Sequence, residues 1–203
     1  MAIEKTTFVA KNLADRQTEV YNWLTANATD YFETITNDTE NSKIICSFSE
    51  CENAKLEFGF MRQLPMCRIT NEVGTHYDCG KYGYDPPLDY TLKIAIKTSY
   101  GMYFKNNRDP YSILLTKNND NTTSIVNNSP DVSIICPEKS KVFTVTSKVI
   151  TADMTSFAPI PIAEGVYPEN MFFTPFSSAR YVGVITDDNG QKYFYDGYCA
   201  LKE

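Results

Sequence analysis

The sequence predicts an α+β protein that is mainly β: one N-terminal amphipathic helix packed on an antiparallel β-sandwich or barrel-like sheet, closed by a C-terminal hairpin. Three observations carry this. Short alternating segments recur about every ten residues with polar turns between them, as in sandwiches and barrels. A single stretch near the N-terminus has a helical apolar stripe. Residues 180–203 read as a complete β-meander, in which Asp188-Asn189-Gly190 supplies a tight turn between alternating strands. A lone hairpin is marginal in water, so this one is expected to lie on a larger sheet.

In chain order, Asn12 is placed to cap a helix with Asp15 at its third position, favourable for the free amides and the dipole. Leu13, Val20, Trp23, Leu24, Ala28, Tyr31 and Ile35 fall on one stripe, so the helix is expected to run toward Thr34 with Lys11, Arg16, Glu19, Asn22 and Asp30 in water. Residues 1–41 are therefore taken as a helical segment and 42–203 as the sandwich domain. Lys43–Ser49 and Lys55–Met61 form a first hairpin. Residues 62–87 show little periodicity and are expected to be an irregular excursion with one strand near Cys67–Asn71. Leu92, Ile94 and Ile96 then alternate with Lys93 and Lys97, and Gly101 allows a bend or bulge. Strands follow at 111–116, 122–126, 132–136 and 142–150, separated by the turns Asn118–Asn121 and Asn127–Pro130. Residues 151–179 are rich in Pro and aromatics. They are too interrupted to ladder continuously and too apolar for a flexible linker, so they are expected to be an arm ordered against the sandwich or a partner.

Composition narrows function by exclusion. Of the 203 residues, 22% are charged and 42% hydrophobic, as in ordinary globular chains. A net charge of −6 with nineteen scattered basic residues lacks the footprint of a nucleic-acid binder. No signal-like N-terminus and no bilayer-length apolar window are present, which points to manufacture in a cytosol without membrane insertion. The six cysteines are then expected to be reduced, and Cys46 and Cys136 alternate in phase with apolar neighbours as core residues do.

Candidate chemistry is thin. Cys67, His76 and Cys79 with Cys46 or Cys51 have the donor types for zinc but not the paired spacing. Disulfides Cys67–Cys79 or Cys46–Cys51 would need an oxidising medium. His76, the only histidine, has no nucleophile elbow beside it, and pairs such as Glu57 with Glu72 or Asp85 with Asp89 read as solvated charge. Asp187–Gly190 lacks the spacing of a calcium loop. No cofactor motif is present. Tyr82, Tyr84 and Asp85 suit a carbohydrate platform, where rings stack on sugars and a carboxylate takes hydroxyls.

One resemblance adds to this reading. The N-terminal helix, the segment Thr116–Thr123, Pro159-Ile160-Pro161-Ile162, Tyr167–Phe173 and the ending Gly183–Thr186, Gly190–Tyr193, Asp196–Glu203 are together similar to structural proteins of tailed bacteriophages and prophages of gut bacteria. The resemblance implies a non-enzymatic virion protein of the tail or baseplate, with capsid decoration as an alternative. It would be assembled in the host bacterial cytoplasm and act through contacts with itself and other virion proteins. Contact residues are then expected at Pro159, Ile160, Pro161, Phe172, Phe173 and Phe176 of the arm, and at Trp23 and Tyr31. A module binding a host-surface glycan or protein through Tyr82, Tyr84 and Asp85 is the second expectation.

Overall fold

The computed structural model describes residues 3–49, 51–80, 87–107, 111–128, 132–144, 158–159, 165–173, 183–197 and 199–203. Among them the chain forms one α-helix and three antiparallel sheets, so the mainly β, sandwich-like class with an N-terminal helix is what the chain adopts.

The leader makes β1 (Glu4–Thr7), followed by α1 (Leu13–Asn27). Asn12 caps α1 as expected, its side chain accepting from the Asp15 amide at 2.9 Å. The helix stops at Asn27, well before Thr34. The β-branched run Thr34-Ile35-Thr36 is instead taken by β2 (Thr34–Asp38), where Ile35 faces Cys46 across the ladder. Arg16 also departs from expectation, for it is 2% exposed. Its guanidinium donates to the carbonyls of Ala10 (2.6 Å) and Leu92 (3.3 Å), while Nε, which has no hydrogen-bond partner, lies 3.6 Å from the Glu19 carboxylate; these contacts offset much of the cost of burying the charge.

Strands β2, β3 (Lys43–Ser47), β4 (Lys55–Gly59), β5 (Cys67–Thr70) and β6 (His76–Cys79) form a five-stranded meander. Among its described residues the predicted irregular excursion thus contains two strands rather than one. Their connection is a tight turn in which Asn71 Oδ1 accepts from Thr75 N at 2.8 Å and Gly74 takes φ +81°. Sequence reading missed β6 because its inward residues are Tyr77 and Cys79, a weak apolar signal between His76 and Asp78.

The middle of the chain gives β7 (Ile94–Lys97), β8 (Gly101–Lys105), β9 (Ser112–Lys117), β10 (Thr123–Asn128), β11 (Val132–Cys136) and β12 (Lys141–Thr144). With β1 on the β7 edge these make a seven-stranded sheet. This sheet is the middle layer. Met102, Leu115, Ile125 and Ile135 are successive cross-strand neighbours facing the β2–β6 sheet and α1. Ile96, Tyr103, Leu114, Val126 and Ile134 form the corresponding row on the opposite face. Two buried faces require consecutive rather than alternating apolar residues, which is why β9 reads Ile113-Leu114-Leu115.

The third layer is built from β13 (Ala158–Pro159), β14 (Met171–Phe173), β15 (Gly183–Thr186), β16 (Lys192–Tyr195) and β17 (Cys199–Lys202), in the order β13-β14-β17-β16-β15. Met171, Phe194, Cys199 and Leu201 pack on the second row of the central sheet. The predicted closing hairpin is present. Asp187 Oδ1 accepts from the amides of Asn189 and Gln191, both at 2.9 Å, while Gly190 supplies φ +82°.

Helix α1 connects the edge strand β1 of the central sheet to the edge strand β2 of its neighbour and is tied to both. Trp23 Nε1 donates to Thr6 Oγ1 at 3.1 Å, and Gln17 Nε2 to Asn37 Oδ1 (2.7 Å), Asp38 O and Lys43 O. Val20, Leu24 and Ala28 enter the core between the two sheets.

Candidate functional site

At one end of the stack, connections from two sheets surround a cleft of about 560 Å³. Ser49 and Cys51 come from the β3–β4 link and Glu72 from the β5–β6 turn. Lys117 is the last residue of β9, Asp120, Asn121 and Thr122 belong to the β9–β10 turn, and Glu138 and Lys139 to the 3-10 turn Pro137–Lys139. The expected Asn118–Asn121 turn is locked from within: Asp120 Oδ1 accepts from Thr122 N and Oγ1, and Asn121 takes φ +68°. Glu72 N donating to Pro137 O (3.0 Å) and Cys51 Sγ to Glu138 O (3.5 Å) hold the walls together across the sheets.

The cleft holds charges of both signs, of which Glu138 and Lys117 are the poorly solvated ones. Glu138 Oε1 accepts from Thr123 N at 2.9 Å, while Oε2 is buried without a partner of hydrogen-bond geometry; Thr123 Oγ1 is near enough only to bias the carboxylate. Burial raises the Glu138 carboxyl above its ordinary value, against the pull of the backbone amides and Lys117. Burial lowers Lys117, against the charges of Glu138 and Asp30, and its ammonium donates to Asn121 O at 3.0 Å. For Asp120, burial acts upward, but bonds from Lys139 (2.8 Å) and Thr122 outweigh it and the net shift is downward. Burial pushes the neighbouring Cys136 thiol up to about 11, so it stays protonated near neutrality. Such a recess can bind a polar group through hydrogen bonds.

Glu138 has a consequence for stability. Its folded-state value is raised, so the folded chain keeps this proton to higher pH than the unfolded chain does. Stability then falls as pH rises from near 4.5, the ordinary value, through the raised one. Glu138→Gln keeps an acceptor for Thr123 N and removes the charge. It should raise the urea midpoint at neutral pH, with the difference from wild type vanishing in acid. A lower midpoint at neutral pH would mean that the buried carboxylate is net favourable.

The sequence-derived contact residues are dispersed. Trp23 turns its ring into the core, edge-on to Phe8 (6.2 Å) and Phe104 (5.9 Å). Tyr31 lies beyond the helix, in the turn before β2, with the Lys117 ammonium 5.8 Å from its ring centre. Pro159 is on β13 opposite Phe172, and Phe173 is on β14 between Ala158 and Cys199. Phe172 is half-buried, edge-on to Tyr193 at 6.0 Å. Ile160, Pro161 and Phe176 lie outside the described residues, as do Tyr82, Tyr84 and Asp85.

The zinc set is split by strand period: Cys67 and Cys79 face the core, whereas His76 is on the outer face of β6, its Nδ1 3.0 Å from Thr70 Oγ1. Glu57 is paired with Lys43 at 2.7 Å. Sequence reading missed the cleft itself. Its one local signal was the Asn-rich turn, and nothing in the spacing of Cys51, Glu72, Lys117 and Glu138 announces that four separate connections meet. Compared with known proteins, the chain matches no family model, no curated protein and no solved structure.

Proposed function

We propose that the chain is a non-enzymatic building block of a tailed-bacteriophage virion, in the tail or baseplate, acting through protein–protein contacts with itself and its neighbours. One observation supports the reading. Three of the stretches that resemble phage structural proteins, Thr116–Thr123, Tyr167–Phe173 and Asp196–Glu203, are joined to one another in the fold. Asn119 N donates to Tyr167 O (3.0 Å), Tyr167 N to Asn119 Oδ1 (3.1 Å) and Asn119 Nδ2 to Gly165 O (2.8 Å), with a bridge between Asn118 and Pro168. The same Tyr167–Phe173 segment continues into β14, which ladders with the closing strand β17, and Lys202 N donates to Asn170 O at 2.8 Å. Features far apart in sequence therefore form one structural unit.

The test is the absolute mass of the protein by light scattering over a range of concentrations in reducing buffer. A defined multiple of 23.0 kDa is expected, falling to the monomer in the double variant Phe172→Ala, Phe173→Ala, with circular dichroism verifying that the variant is folded. A wild type that is monomeric throughout overturns self-assembly. A folded variant that assembles like wild type overturns the assignment of the arm as the contact.

A further inference from the structure

Strands β5 and β6 place Cys67 directly opposite Cys79 in the ladder. Both side chains are on the core face and fully buried, so their Cβ atoms leave the backbone on the same side. The ladder fixes their separation. At the turn Asn71 N donates to Thr75 O, and alternation along an antiparallel pair makes Cys67 and Cys79 another hydrogen-bonded pair, with Cα atoms about 5.5 Å apart. A disulfide spans about 4.4–6.8 Å between Cα atoms, which this pair meets. It also needs Cβ atoms about 3.5–4.5 Å apart, whereas directly opposite residues hold theirs about 4.5–5.5 Å apart, so closure draws β6 about 1 Å toward β5. Burial raises the Cys67 thiol, and the neighbouring Cys79 raises it further. Cys79 Sγ donates to Ser112 O at 3.4 Å.

The other described cysteines have no cysteine opposite them: Cys46 pairs with Ile35 and Leu56, Cys136 with Lys141 and Cys199 with Phe173, while Cys51 sits in the β3–β4 connection. Access requires opening: both thiols are fully buried, but β6 is the edge of its sheet, with β5 as its one ladder partner among the described residues, so a local opening that frees it breaks one ladder and costs less than global unfolding.

We propose that Cys67 and Cys79 are an oxidation site: a dithiol that becomes an intrachain disulfide on meeting a low-molecular-weight disulfide such as oxidised glutathione. When β6 frays, the thiolate of Cys79 attacks one sulfur of the reagent, forming a mixed disulfide and releasing one glutathione thiolate, which takes up the proton. The thiolate of Cys67 then attacks the Cys79 sulfur and expels the second glutathione. Two electrons pass from the protein sulfurs to the reagent, whose S–S bond breaks, and two glutathione thiols result. The product staples β6 to β5 across the core face. The inference is independent of what the chain assembles with.

The experiment uses the full chain, purified in reductant and moved into oxidised glutathione with and without sub-denaturing urea to promote fraying. Alkylation in denaturant and non-reducing peptide mass mapping follow. The expected result is loss of the mass of two hydrogens without retained glutathione, two fewer alkylatable thiols than the six of the reduced chain, and one linked peptide pair holding Cys67 and Cys79. Dithiothreitol should reverse all three. Cys79→Ser should abolish the linked pair. Six alkylatable thiols under both conditions, a stable mixed disulfide on wild type, or a bridge to any other cysteine overturns the proposal; the wild-type map decides the matter even if the variant does not fold.

Discussion

Replacing Gly101 by alanine should destabilise the protein by about 3 kcal/mol, and replacing it by valine should prevent accumulation of folded protein. The reason is space. Gly101 does not occupy the left-handed region, so conformation alone would tolerate a side chain. A Cβ at this position would press into the Leu115 carbonyl of the adjacent strand and stand 2.7 Å from Leu201 Cδ2 on β17. The carbonyl belongs to the β8–β9 ladder and cannot swing aside without breaking it, while Leu201 belongs to the contact between the central and C-terminal sheets. An added methyl therefore has to push apart neighbouring layers or neighbouring strands. Urea unfolding followed by the fluorescence of Trp23, the only tryptophan, measures the effect. An unchanged midpoint for Gly101→Ala would show that the third sheet is not seated this closely.

Phe104→Ala should cost about 3–5 kcal/mol. Phe104 is fully buried on β8, with its ring 5.3 Å from Phe58 of the β2–β6 sheet and 5.9 Å from Trp23 of α1. One ring thus touches the helix and joins the layers that the helix bridges. Truncation leaves a cavity among edge-on aromatic rings, whose directed contacts a neighbouring side chain cannot restore by shifting. The midpoint should fall with little change in slope, and the emission of Trp23 should change because it loses a ring partner. A loss below about 1 kcal/mol would mean that the core closes over the gap and that Phe104 is not the joint between these elements.

Much of this architecture was legible in the sequence, for identifiable reasons. Turn chemistry marked Asn118–Asn121 and Asp187–Gly190, because Asn, Asp and Gly at those places have few other uses. The cap at Asn12 was legible for the same reason. What failed was tertiary in origin. The apolar stripe ran through Tyr31 and Ile35, yet Ile35 is inward-facing in β2 as well, so periodicity could not tell a helix from a following strand. Arg16 looked solvent-facing because its partners, the carbonyls of Ala10 and Leu92, are backbone atoms that no side-chain pattern reveals. A stack of three layers, rather than two, was written in the unbroken Ile113-Leu114-Leu115 of β9, but a short apolar run is ambiguous by itself. The cleft was illegible because Glu72, Lys117 and Glu138 become neighbours only after two sheets pack.

The pairing of β1 with β7 governs how the polypeptide can mature during synthesis. Helix α1 and the whole β2–β6 meander lie between these two strands, so Glu4 meets Lys97 only after an entire layer has been translated. The meander has neighbour-to-neighbour contacts and can organise early; β1 must wait, and the loop it closes is among the longest in the fold. A ribosome stalled before residue 94 would carry a nascent chain whose N-terminal strand has no docking edge, while the row Ile96 to Ile134 stays uncovered until residues 194–201 emerge. The slow, aggregation-exposed interval of biogenesis therefore falls between completion of the first layer and arrival of the last strand.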